Sequence, residues 1–185
     1  MDSYKYYMAL FFSFLRQSAT GIDALNEYVG RGISWLTLAM VLLTFAIVIC
    51  RYLFDASWVP VQEAVIYMHS IVFMLGAAYT LKHDGHVRVD IVYQKCNPKI
   101  KAWIDLVGTL LLLLPVAGFI FWSSWEYVLD AWEITEGSRN SGGLPFIYLL
   151  KSCLLLMSGL LVLQAVALFM QKIVYLFAQA EAAHG

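Results

Sequence analysis

Residues 33–50 read ISWLTLAMVLLTFAIVIC, without one charged side chain. A hydrocarbon core about 30 Å thick is crossed by roughly 20 apolar residues of helix, so such a run reads as a transmembrane span. Three more uncharged runs follow: Ala64 to Leu81, Leu106 to Trp125 and Ser152 to Gln171. Backbone in lipid must satisfy its own hydrogen bonds, and none of the runs alternates as a barrel strand does, so all four are expected to be helices.

Composition agrees: 61% of the 185 residues are hydrophobic and 14% charged, against about 25% charged in soluble domains. A net charge of −1 gives no reason to expect a nucleic-acid partner. Three cysteines without CxxC spacing indicate neither a disulfide framework nor a zinc site. The expected fold is an all-α membrane protein in one domain, 1–185, with transmembrane helices at about 32–54, 62–82, 103–129 and 145–171.

Between the second and third spans lie Lys82, Arg88, Lys95, Lys99 and Lys101, whereas the other connections hold only Arg139 beyond the helix-terminal Arg51. The positive-inside rule then places connection 83–102 and both termini in the cytoplasm, and connections 55–61 and 130–144 outside, in the periplasm of a bacterium. Ahead of the first span, Tyr4, Tyr7, Met8, Phe11, Phe12 and Leu15 recur at helical spacing. This predicts an amphipathic helix at 4–20, either an interfacial anchor in contact with membrane lipids or a partner-docking element. The apolar stretch from Met8 to Phe14 has no A-x-A-like cleavage site after it and is not read as a removed signal peptide.

Charged side chains near span ends carry the remaining information. Arg51 closes helix one and Glu63 opens helix two, with Asp55 between them. An ion pair from Arg51 to Glu63 or Asp55 is the expected structural pin, with a transport role as the alternative. Lys151 either snorkels outward or pairs with Glu126 or Asp130, and Asp105 is expected at an interface near Lys101. Glu126, Asp130 and Glu133 share one helix face, which Glu136 and Arg139 extend into a loop. That feature is either a solvated helix end or a docking surface.

Motifs for catalysis are missing: there is no G-x-S-x-G, HExxH or P-loop, so an enzyme is not expected. A membrane anchor binding b-type haem would need two axial ligands at depth, and only His69 lies within a span. Pro115 and Gly118 predict a kink in the third helix.

Four segments carry a family resemblance: Arg51-Tyr52 closing helix one, Trp58 to Glu63, KHDGHVRVDIVY at Lys82 to Tyr93, and ITEGSRNSGGLP at Ile134 to Pro145. Together they resemble the small transmembrane subunit, DctQ-like, of tripartite ATP-independent periplasmic (TRAP) transporters, from about Gly32 to about Phe169. The resemblance implies a sodium-coupled importer of organic acids in the bacterial inner membrane. It implies two protein partners, a large permease subunit and a periplasmic substrate-binding protein. Sodium and substrate sites are then expected on the large subunit, with no cofactor or metal on this chain, whose role is scaffold and docking aid. The reading from a different class is the membrane anchor subunit of a redox complex, with His69 as a haem ligand.

Overall fold

The computed structural model describes residues 2–86 and 93–184. Helix α1 covers Asp2–Phe54, α2 Val59–Lys82, α3 Pro98–Gly108, α4 Leu114–Glu133 and α5 Ile147–His184; a π-helical turn, Thr109–Leu113, joins α3 to α4. No strand occurs among the described residues. Four helices are long and apolar enough to cross a membrane: α1, α2, the joined α3–α4, and α5. The chain is therefore the all-α, four-span protein expected from its composition. Residues Val87 to Val92 of the KHDGHVRVDIVY stretch, Arg88 included, lie outside the described residues.

Helix ends follow local chemistry. Asn97 caps α3 by accepting from the Ile100 amide at 2.8 Å, with Pro98 behind it, a position where a missing N–H costs nothing. Asp55, Asp84 and Thr135 take positive φ after α1, α2 and α4, a left-handed step that reverses the chain. Pro115 has no N–H and its ring would strike the carbonyl four residues back. The π turn relieves this by passing the Leu114 amide to Thr109, so the expected kink takes the form of a widened turn.

One boundary differs from expectation. The segment at 4–20 and the first span are not two elements but one 53-residue helix, about 80 Å long at 1.5 Å per residue. The cause is an inward stripe that never breaks: Phe12, Leu15, Ala19, Asn26 and Gly30 are buried or half-buried at steps of three, four or seven residues. Phe12 packs on Phe177 of α5 with ring centroids 5.2 Å apart, so the two long helices run on together past Lys82. Tyr7 and Phe11 are exposed, and Met8 and Leu15 half-buried; the Tyr4 side chain lies outside the described ones.

Helix α5 is the hub, since α1, α2 and the joined α3–α4 all pack against it, α1 packs also on α2, and α4 makes little contact with either. Two polar belts bracket the apolar middle. At one end Glu27 of α1 meets Lys82 Nζ at 2.7 Å and Arg31 Nε at 2.7 Å, and Asp105 of α3 meets Lys172 of α5 at 2.6 Å. At the other end Glu63 and Lys151 are engaged. Glu63 and Lys82 stand nineteen residues apart on α2, about 29 Å along a helix, which matches the hydrocarbon thickness of about 30 Å.

Close packing of α1 on α2 depends on Gly30. A Cβ there would fall 2.1–2.8 Å from the Tyr79 ring and its Cβ, and Tyr79 in turn stacks on His83 at 4.4 Å. At Gly32 a Cβ would meet nothing within 4 Å. Both substitutions gain the same helix propensity, so their difference isolates the clash. Gly30→Ala is expected to fall about 1–3 kcal/mol below Gly32→Ala in stability, read from unfolding in mild detergent.

Candidate functional site: a carboxylate clasp at one end of the bundle

Glu63 sits one turn into α2, just past Pro60, and is buried. A buried carboxylate needs donors on both oxygens. The chain supplies them from residues 138–144, seventy-five and more positions away. Oε1 accepts from Ser138 Oγ at 2.5 Å and Asn140 Nδ2 at 2.8 Å, and Oε2 from the Leu144 amide at 2.6 Å. These three bonds fasten the α4–α5 connection onto the start of α2.

The connection is shaped to reach the carboxylate. After α4, Thr135 turns at φ +46, and the Glu136 amide returns to the Ala131 carbonyl at 2.9 Å. Ser138 N–H donates to the Leu144 carbonyl at 3.0 Å, Gly143 N–H to that of Asn140 at 3.0 Å, and Gly142 takes φ +74. Gly143 has no room for a side chain, because a Cβ would lie 2.5 Å from Ser138 Oγ and 2.7 Å from Glu63 Oε1. Arg139 stands exposed between two residues that are both held.

The expected Arg51 pairing is not what forms. Arg51 is exposed and its Nη2 reaches Ser57 Oγ at 3.5 Å, while among the described residues no ion pair joins it to Glu63 or Asp55. Asp55 occupies the left-handed position that ends α1, and Glu63 points inward to the loop. Neighbourhood along the chain suggested the pair; the inward facing of Glu63 on α2 decides otherwise.

The five residues expected to form an outward surface divide. Glu126, Asp130 and Glu133 remain exposed on α4, and Arg139 on the loop. Glu136 is turned back by the reversal at Thr135 and pairs with Lys151 of α5, whose Nζ also lies 3.8 Å from the centre of the Tyr127 ring. Lys151 thus neither snorkels alone nor pairs with Glu126 or Asp130. Beside it Trp132 donates from Nε1 to Ser152 Oγ at 2.8 Å and meets the Tyr148 ring edge-on at 4.7 Å.

At the opposite end Asp105 accepts from Lys172 and, at 3.0 Å, from the Tyr93 hydroxyl, and Lys101 Nζ lies 5.2 Å from the centre of the same Tyr93 ring. Glu27, five residues short of the first span, takes Lys82, His83 and Arg31. Those hydrogen bonds, Lys82 foremost, hold its carboxyl down at about 2. A ladder that the sequence did not suggest ties α1 to α5: Asn26 Nδ2 to Gln164 Oε1 at 2.7 Å, Gln164 Nε2 to Asp23 at 2.9 Å, and Gln171 Nε2 to Asp23 at 2.7 Å. Its one visible signal was Gln164, an amide inside an otherwise apolar run. A cavity of about 630 Å³ opens there between α2 and α3, and of its described lining residues both lysines, Lys82 and Lys172, are ion-paired.

Among the described residues His69 is the one histidine inside a span. His69 faces outward from α2, and His83 lies at the Lys82 end against Glu27, 2.7 Å away. Nor do three metal-ligating side chains gather anywhere among them. What the arrangement does is mechanical: it holds four spans at fixed mutual positions and fastens one loop.

A family described as tripartite ATP-independent periplasmic transporters, DctQ component, matches residues 40–174, from the later half of α1 through most of α5. The C4-dicarboxylate TRAP transporter small permease protein DctQ of Vibrio cholerae serotype O1 is 29% identical over 105 residues, 57% of this chain. The matched part spans 44% of that relative's length. No solved structure matches the chain.

Arg139 gives a direct readout of the clasp, being the one trypsin site in residues 134–146. Glu63→Ala, and Gly143→Ala by displacement, should release the loop and speed cleavage after Arg139 by roughly tenfold, the scale of losing charge-assisted hydrogen bonds. Arg51→Ala should leave that rate unchanged. Limited proteolysis followed by mass spectrometry measures both.

Proposed function

The chain belongs to the DctQ component family of tripartite ATP-independent periplasmic transporters, and from that membership we propose that it is the small membrane subunit of a sodium-coupled importer of organic acids. It is a transporter component and not an enzyme. In this reading it lies in the bacterial inner membrane beside a large permease subunit that holds the sodium and substrate sites. It acts as scaffold for that subunit and helps a periplasmic substrate-binding protein to dock.

The observation that carries the scaffold role is where the polar bonds lie. Among the described residues every ion pair belongs to one of two belts about 29 Å apart. Spans cross-linked at both ends suit a static partner and not a moving transport domain. Lys82, Lys95, Lys99, Lys101 and Lys172 collect at one end, which supports a cytoplasmic placement for it and a periplasmic one for the clasped loop. The C4-dicarboxylate in the relative's name supports organic acids as the cargo class.

Docking has its support in the exposed acids. Glu126, Asp130 and Glu133 stand exposed on α4 with no ion pair among the described residues, and such an acidic face steers a partner of opposite charge.

Two measurements test this reading in cells lacking the native system. Uptake of a labelled C4-dicarboxylate should require this chain, the permease and the binding protein together, and should vanish when sodium is replaced by choline. Combining Glu126→Gln, Asp130→Asn and Glu133→Gln should lower uptake at limiting binding protein severalfold at low salt and flatten its salt dependence. Undiminished uptake without this chain would sink the proposal.

A further inference from the structure

Helices α2 and α3 both pack on α5 but make little contact with each other. The cavity of about 630 Å³ between them is therefore a crevice with α5 as its floor. Its lining changes character with depth. Lys82, Asp84, Asp105 and Lys172 line it at the level of the polar belt, and Gly108, Leu113 and Leu168 line it further in. Leu113 stands eight residues beyond Asp105, about 12 Å into the hydrocarbon.

Polar groups wait at two depths. Thr109, which opens the π turn and lines the crevice, is only 8% exposed, yet among the described residues its hydroxyl makes no hydrogen bond. A buried hydroxyl without a partner is costly, and this one stands four residues, about 6 Å, beyond Asp105. At the belt each lysine ammonium carries three donors. Among the described residues Lys82 gives one to Glu27 and Lys172 one to Asp105, which leaves N–H groups of both for a further acceptor. Protein atoms do not crowd the inner wall, since a Cβ on Gly108 would meet nothing within 4 Å.

Size and polarity select the occupant. A spanning helix with its side chains is 10–12 Å across and about 30 Å long, on the order of 2,500 Å³, several times this cavity, whether it came from another protein or from a second copy. A loop of either would bring backbone groups that the apolar inner wall cannot satisfy. A small soluble anion would leave that wall uncovered. A phospholipid matches both levels, with a charged head at the belt, ester carbonyls just below it and a slender chain beyond. Purely basic pockets between spans take anionic heads, but here Asp84 and Asp105 balance Lys82 and Lys172, which favours a head carrying both signs.

We propose that the α2–α3 crevice binds one zwitterionic phospholipid as a structural ligand. Its phosphate accepts from Lys82 and Lys172, an ester carbonyl accepts from the Thr109 hydroxyl, and an acyl chain runs past Gly108 to Leu113 and Leu168. The site goes beyond the transport reading, because it requires only that the chain span a membrane.

The test uses the full-length chain, expressed together with its large subunit and reconstituted into vesicles that contain a trace of phosphatidylethanolamine with a diazirine in one acyl chain. After irradiation, peptide mass spectrometry should find label at Leu113 and Leu168 well above that at the outward Leu111 and Phe119. Unlabelled phosphatidylethanolamine should compete this label away, and the same amount of phosphatidylglycerol should not. Gly108→Leu, which fills the crevice without striking protein, should abolish the label there, whereas Gly118→Leu, whose Cβ is equally free, should leave it. Thr109→Val, nearly identical in shape, should lower it about fivefold, the scale of one hydrogen bond. Label spread evenly over every outward face, or unmoved by Gly108→Leu, is annular lipid only and overturns the site. Absence of label at Leu113 and Leu168 overturns lipid as the occupant, and equal displacement by phosphatidylglycerol overturns the zwitterionic head. Should Gly108→Leu fail to fold, the competition between the two lipids on the unsubstituted chain still decides.

Discussion

Lipid offers no hydrogen bonds, so each polar group on a spanning helix must be answered by the protein or moved to the membrane edge. The carboxylate of Glu63 is where this constraint does most. Its position one turn into α2 puts charge at the boundary of the hydrocarbon, and its three donors all come from the connection between α4 and α5. Satisfying one side chain thereby fixes the path of residues 138–144, forces glycine at 143 and sets Arg139 facing outward. The same constraint at the far end yields the Glu27, Asp23 and Asp105 contacts, which bind α1, α2 and α3 to one another or to α5.

Much of this was legible in composition. Four uncharged runs sufficed for four spans, because the length requirement is set by the bilayer and not by the sequence around the run. Pro115 marked a distortion of the third helix for reasons of backbone sterics, which are local. The Glu63 clasp was not legible, since it joins residues more than seventy positions apart through hydroxyl, amide and backbone donors that carry no charge pattern. Arg51 looked like the natural partner because it was the near cation; distance along the chain was a poor guide to which way a helix face points. Glu136 and Lys151 met for the same kind of reason, a reversal at Thr135 that ordinary residue preferences do not announce.

The continuity of α1 teaches a related point. The amphipathic stretch at 4–20 and the uncharged first span read as two elements because their hydrophobic patterns differ, yet the glycines and polar residues between them only weaken a helix and do not stop it. Each glycine or polar residue on the inward stripe has a packing or bonding partner: Asn26 has Gln164, and Gly30 has the Tyr79 ring. Tertiary contacts with α5 and α2 therefore carry the helix through a stretch that its own propensity would leave marginal.

The arrangement is also lopsided, and that bears on function. With α5 at the centre and α4 barely touching α1 or α2, the spans form a fan more than a closed bundle, and most bulky apolar side chains face outward. A chain that had to stand alone would gain from closing that fan around its own polar groups. Here Asn26 and Gln164 are enclosed, Lys151 and Glu136 neutralise each other, but His69 is left on the outside at depth. Polar residues so sorted leave each end of the chain fastened by its own contacts, while the faces between the two belts are mostly apolar and turned outward.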